Sequence, residues 1–231
     1  MKKFFLMFVC MIFAFACGKN SAQFEGTIET NEELGGIVRQ SKITFLGSDI
    51  RVENINAKSD YTTITIIKSD EEKIISLVPK NKEYVKFDFK ILKDILKEEA
   101  GDNASEKASK TTGKSNTLHS YICNEYVDND EYWGTSVTAW ICENFVNSKS
   151  DTWKMLIEFL NREKGTSGWW NVSLQFDNGF PFEATKTRDD KTEYKLEITK
   201  VDKNKPDGNL FEIPKDYKDM DMDFETYLYG K

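Results

Sequence analysis

TEYKLEIT, residues 192–199, repeats with a period of two: Tyr194, Leu196 and Ile198 fall on one side, Glu193, Lys195 and Glu197 on the other. Successive side chains of a strand point to opposite faces, so the segment reads as a strand with one buried and one wet face. Antiparallel sheets covered on one side produce this alternation. Working outward, Ile43 and Phe45 alternate with polar residues, as do Ile50 and Val52. TTITII (62–67) and KIISLV (73–78) flank the polar stretch KSDEE and read as a hairpin. Two segments change to helical spacing. FKILKDILKEEA places Phe89, Leu92 and Leu96 on one stripe, flanked by Ile91 and Ile95. DTWKMLIEFLNREKG does the same with Trp153, Leu156, Ile157 and Leu160, with Asp151 as the expected N-cap and Gly165 near the stop. Each stripe needs a sheet face to cover.

AGDNASEKASKTTGKSNT, residues 100–117, contains no Leu, Ile, Val or aromatic residue, and is expected to be a mobile loop. Strands of similar pattern lie on both sides of it, so it marks no domain boundary. The C-terminal DMDMDFETYLYGK is acidic and aromatic, and residues 223–231 are expected to lie loosely on the surface.

The chain begins with Lys2 and Lys3, then an apolar run from Phe4 to Ala16. That run is shorter than the roughly twenty residues a spanning helix needs, so residues 1–16 read as an export signal. Ala14-Phe15-Ala16-Cys17 puts small side chains at −3 and −1 of a cut before Cys17 and is similar to a relaxed bacterial lipobox, without its usual Leu at −3. Lipidation of Cys17 is therefore expected, with residues 17–23 as a short tether and a membrane as the partner of the anchor. A rival cut after Asn20-Ser21-Ala22 would leave a soluble periplasmic chain starting at Gln23. Loss of the two signal lysines takes the formal charge from −7 to about −9, and with a pI near 5.0 no nucleic-acid partner is expected. The roughly 210 residues that follow suffice for one β-rich domain.

Cys123 and Cys142 stand symmetrically about the Tyr132–Trp133 junction, inside the turn-like DNDEYWG. In a hairpin of that register they are direct cross-strand partners. An exported compartment permits a disulfide there; two separate buried thiols are the alternative.

Chemistry-bearing patterns are sparse. A single histidine, His119, stands in an expected strand and reads as a structural hydrogen-bonding residue, so histidine-pair metal sites are out of reach. There is no G-x-S-x-G elbow, phosphate-binding glycine loop or H-E-x-x-H. Asp128 and Asp130 in DNDEYWG, and Asp219, Asp221 and Asp223 in DMDMD, lack the glycine turn and closing glutamate of a calcium loop. No catalytic residue, cofactor or metal is expected. Five Trp, sixteen Phe and nine Tyr make the chain aromatic, either to line a concave pocket or to fill the space between sheet and helices. Adjacent Trp169 and Trp170 point to opposite faces of any strand, so one of them is expected outside the core.

Several stretches together resemble the bacterial domain of unknown function 4412 family of exported, often lipid-anchored proteins. These are DIRVEN with its basic Arg51, the following hairpin with Pro79, Lys82 and Tyr84, HSYICNEYV and SVTAWIC, then GFPFEA and LFEIPKDYKDM. The family pattern usually has Gly before its Tyr-x-Cys strand, where this chain has His119-Ser120, and does not require Cys142. The resemblance implies the fold of the outer-membrane lipoprotein carriers and acceptors (LolA/LolB-like) in a single domain over 24–222. Such a fold is mainly β with two helices (α+β): a curved antiparallel sheet, an incomplete barrel, with amphipathic helices across its concave face. The functional expectation is a non-enzymatic envelope lipoprotein, outer-membrane by location. It would bind an apolar ligand, lipid or lipoprotein segment, lined by Phe89, Leu92, Leu96, Trp153, Leu156 and Leu160. The alternative is a periplasmic or surface interaction protein with a packed core and a protein partner.

Overall fold

A computed structural model describes residues 24–56, 62–99, 110–130, 134–143, 145–146, 150–162, 179–189 and 191–229. Two antiparallel meanders build one sheet. The first is β1 (Gly26–Leu34), β2 (Ile37–Leu46), β3 (Asp49–Asn56), β4 (Thr62–Lys68), β5 (Lys73–Val78) and β6 (Glu83–Asp88), followed by α1 (Phe89–Glu99). The second is β7 (Lys110–Leu118), β8 (Tyr121–Asp130) and β9 (Thr135–Cys142), then α2 (Asp151–Arg162), β10 (Phe180–Arg188) and β11 (Lys191–Asp202). β12 (Lys218–Asp219) and a short α3 (Phe224–Tyr229) close the chain. The strand order is β12-β6-β5-β4-β3-β2-β1-β11-β10-β9-β8-β7, so β1 and β11 join the meanders at the centre and the sheet stays open. The protein is mostly β, and the sheet is curved. Register shifts at Glu29/Thr30, Lys186/Thr187, Pro181/Glu183 and Thr111/Ser115 are the bulges that bend it.

Local chemistry explains the turns. β1 and β2 are joined by Gly35 and Gly36, both with positive φ (56° and 78°), the backbone a two-residue hairpin demands. The same turn between β7 and β8 is made by His119 and Ser120 (φ 48° and 71°). His119 is thus a turn residue rather than a strand residue, and its Nε2 lies 2.8 Å from the Ile198 carbonyl oxygen, a structural hydrogen bond across the sheet. His119 and Ser120 thus supply the left-handed backbone of this turn without a glycine.

Four further expectations need correction. Residues 110–117 are strand β7, not loop, while residues 100–109 lie outside the described part. β7 is an edge strand with both faces wet, so its order comes from the hydrogen-bond ladder to β8 and leaves no apolar pattern. Its Lys110 and Lys114 and the bulge around Gly113 blunt the free edge. The N-cap of α2 is Ser150, whose Oγ accepts from the Trp153 amide at 3.2 Å, rather than Asp151. Ile91 does not support the α1 stripe, being 40% exposed. Finally, the C-terminal segment is docked. Asp223 caps α3 through the Thr226 amide (2.8 Å), Phe224 meets Phe87 edge-to-face at 5.1 Å, and the Tyr227 hydroxyl lies 2.6 Å from Ser76 Oγ.

β8 and β9 pair Asn124 with Ile141 and Glu125 with Trp140, the register symmetric about Tyr132–Trp133. It brings Cys123 and Cys142 together as a disulfide with Cα atoms 4.1 Å apart. The outer face over β3 to β6 has its own small core of Ile64, Ile66, Ile75, Leu77 and Phe211. A strap following β11 covers it. Arg51 donates from Nη1 to the Leu210 carbonyl (2.8 Å) and from Nε to Glu53 (3.0 Å). The Pro79–Lys82 turn and Tyr84 receive the strap's end through Lys218 N to Lys82 O and Met220 N to Tyr84 O, both 2.9 Å. The Arg51 and Pro-x-x-Lys-x-Tyr motif therefore clamps the strap and builds no chemical site.

Two outcomes test this account. Phe211→Ala should lower the unfolding free energy by about 3–5 kcal/mol in urea titrations, since a buried aromatic leaves a cavity under the strap; a loss below about 1 kcal/mol contradicts a packed strap. Reduction of Cys123–Cys142, which closes a loop with a sequence separation of 19, should cost about 3 kcal/mol through unfolded-state entropy.

Candidate functional site

The inner face of the sheet divides into two zones set by strand register. Near the starts of β1, β3 and β5 and the ends of β2, β4 and β6, cross-strand partners are apolar: Ile28 faces Ile43 and Val52, and Phe45 faces Ile50 and Ile67, followed by Ile74 and Phe87. Aromatic rings fill the space above them. Phe145 stacks on Phe24 at 4.3 Å and meets Phe180 and Phe182 at 5.2 and 4.9 Å, while Trp153 lies 5.4 Å from Phe180. Of the residues expected to line a ligand site, Phe89 and Leu92 from α1 and Trp153, Leu156 and Leu160 from α2 are buried in this same core. The side chain of Leu96 lies outside the described residues, as do Cys17 and the Trp169-Trp170 pair. The helices are fastened to the sheet's rim by polar contacts: Ser69 Oγ to Thr152 Oγ1 (2.6 Å), Phe89 N to Glu72 O (2.9 Å) and Lys93 to Glu72 (3.5 Å).

Further along the same strands the inward positions turn polar while staying buried. Thr30 faces Ser41, which donates to Asn54 Oδ1 (3.0 Å), and Asn54 reaches Thr63 Oγ1 (3.5 Å), so a polar row crosses four strands. One position on, Glu32 stands directly opposite Arg39 across β1 and β2. On β4 and β5 the row of Ile28, Ile43 and Val52 itself continues into a polar, fully buried inward pair, Thr65 and Ser76. Tyr194 of β11 enters the belt from the other meander, beside Lys186. Thr30 Oγ1, Thr65 Oγ1 and Tyr194 OH are buried with no hydrogen-bond partner among the described residues. Burial, then the nearby Glu32 carboxylate, push the Tyr194 hydroxyl far above the usual tyrosine value.

No sequence reading singled out this belt. The polar parity of β1, Ile28-Thr30-Glu32, looks like a wet face continuing from an apolar start, and a buried polar position leaves the same letters as an exposed one. Among the described residues no group of three or more His, Cys, Asp and Glu is placed to hold a metal. No described helix is long and apolar enough to cross a membrane. The arrangement offers apolar packing and hydrogen bonding, and an open β-sheet of this kind is compatible with ligand binding.

The family model described as "Domain of unknown function (DUF4412)" matches residues 24–217. The chain belongs to this family. The match runs from the inner-face aromatic Phe24 to Tyr217 of the strap, so both zones of the inner face lie within it. No curated protein matches the chain. The crystal structure of an uncharacterized conserved protein from Thermus thermophilus is similar over 86% of this chain and 91% of its own, at 10% identity and a TM-score of 0.49. PNGF-II in its C2 and P21 crystal forms is similar over 87% of this chain, at 12% and 14% identity and TM-scores of 0.45 and 0.46. Only 31% and 32% of the PNGF-II chain is covered, so this chain spans about a third of that protein. At these scores the structural likeness carries no argument.

Because Tyr194 holds its proton more tightly when folded than its ordinary value near 10 in the unfolded chain, its contribution to stability is intact below about pH 10 and is lost as pH rises further. Tyr194→Phe should therefore flatten the decline in urea midpoint above pH 10. At pH 7 it should be neutral or stabilising by about 1 kcal/mol, as it removes an unpartnered buried hydroxyl. Parallel alkaline declines in both proteins contradict the assignment.

Proposed function

We propose that this chain is a non-enzymatic cell-envelope protein, exported and lipid-anchored at Cys17 in the outer membrane. It takes an apolar ligand, a lipid or lipoprotein segment, between its curved sheet and the helices α1 and α2. In this reading the helices lie across the concave face, as in the lipoprotein carriers and acceptors. The observation that carries it is the burial of Phe89, Leu92, Trp153, Leu156 and Leu160 against one continuous apolar sheet face that, among the described residues, amphipathic helices and short segments cover. An amphipathic helix that swings away exposes such a face without breaking any strand pairing. The same ring-filled interior supports a second reading: a periplasmic or surface interaction protein whose core stays closed and whose partner is a protein.

Delipidated mature protein should take up a fluorescent fatty acid with one molecule per chain. The Ser69→Cys/Thr152→Cys variant, made where the two hydroxyls stand 2.6 Å apart, should lose that uptake when oxidised and regain it with reductant. Wild-type protein in the same reductant controls for the native disulfide. Uptake unaffected by the lock sinks the moving-helix mechanism, and no uptake by wild type favours the closed interaction protein. Intact-mass measurement of the mature N-terminus tests the anchor, a diacylglyceryl-modified Cys17 being the expected species.

A further inference from the structure

One apolar row of the inner face runs across the strands from Phe45 through Ile50, Ile67 and Ile74 to Phe87 on β6. β12 pairs with Glu83 and Tyr84, so among the described residues the row reaches the open edge of the sheet at Phe87. Phe159 of α2 lies over that end, 6.3 Å from Phe87. A ligand sliding between sheet and helix from this edge meets α3 first. Phe224 lies 5.1 Å from Phe87 and 6.2 Å from Phe159. Tyr227 lies 5.4 Å from Phe87 and stacks on Phe159 at 6.4 Å. Both rings therefore touch the floor and the roof of the same opening, and the Tyr227 hydroxyl lies 2.6 Å from Ser76 Oγ on the floor.

The segment is arranged to come away as a unit. The Met220 amide donates to the Tyr84 carbonyl (2.9 Å), and Asp221 then turns the chain with a left-handed backbone (φ 46°). Asp219, Asp221 and Asp223 around this turn are exposed. α3 is six residues long, and a helix so short has no stability of its own in water, so its order comes from docking. It lies beyond residues 24–217, which the family model matches. Undocking it uncovers Phe87 and Phe159 and breaks no strand pairing.

Resting on the reading that this face takes an apolar ligand, we propose that α3 is a releasable plug. The C-terminal segment closes the β6 edge of the inner face, and an acyl chain enters by taking the places of Phe224 and Tyr227. The exchange replaces one apolar cover by another, so the floor and roof stay shielded from water. Because the plug belongs to the same chain, it competes with the ligand at a high effective concentration. Apparent affinity is then the intrinsic affinity scaled by the fraction of molecules standing open.

The test uses the mature full-length protein and cis-parinaric acid, a fluorescent fatty acid. Saturating wild type with it should speed amide hydrogen exchange in residues 221–229 by about tenfold or more, while β5 and β6 stay protected. That is the reverse of the slowing expected where a ligand simply covers a segment. The Phe224→Ala/Tyr227→Ala variant, whose plug carries neither ring, should bind the probe roughly tenfold more tightly than wild type. Tyr227→Phe, which lacks only the hydroxyl at Ser76, should gain about threefold. Exchange in 221–229 that is unchanged or slowed at saturation overturns the plug while the lipid-binding reading stands. So does a double variant that binds no more tightly with its strand amides still protected. Failure of both wild type and double variant to bind the probe removes the underlying reading and this inference with it.

Discussion

The pairing of β1 with β11 holds everything else in place. Gly26–Leu34 hydrogen-bonds along its other side to β2, so β1 is the single strand shared by the two meanders. Without it each meander would end in an unpaired edge and neither would own a complete inner face. The seam requires close approach: a Cβ at Gly26 would fall 2.2 Å from the Asp202 carbonyl oxygen, so only glycine lets the strands meet there. Its register shift at Glu29/Thr30 also turns the inner face at the point where apolar residues give way to polar ones. Such a long-range pairing is entropically slow to form, and the local hairpins on either side must be in place for it to be rewarded.

From this seam follows a difference between strands that share one sheet. β11 is wet on its outer side and alternates cleanly. β4 and β5 are buried on both faces, by the helix-covered core within and by Phe211 and the strap without, so they carry no charged residue between their end lysines and no alternation of wet and dry positions. Arg51 is the exception that makes the outer core possible. It lies between Thr44 and Ile66 in register, and its guanidinium donates to the Leu210 carbonyl of the strap. Arg51, Lys82 and Tyr84 thus serve the strap, which is why they said nothing about chemistry.

How much the sequence disclosed depended on which forces leave a mark in side-chain pattern. Apolar periodicity located the β4–β5 hairpin, the inward stripe of β11 and both amphipathic helices, because burial selects residue type. Symmetry about Tyr132–Trp133 located the disulfide, because antiparallel register is arithmetic. β7 escaped because its order comes from the backbone ladder and from polar pairs to β8, Thr112 and Lys114 to Glu125 and Ser115 to Asn124, none of which leaves an apolar pattern in KTTGKSNTL. Ser150 and Asp151 both suit an N-cap, and only the point at which the helix starts decides between them. The belt escaped for the deepest reason: burial of Thr30, Thr65 and Glu32 is imposed by neighbours on other strands, and no local window contains those neighbours.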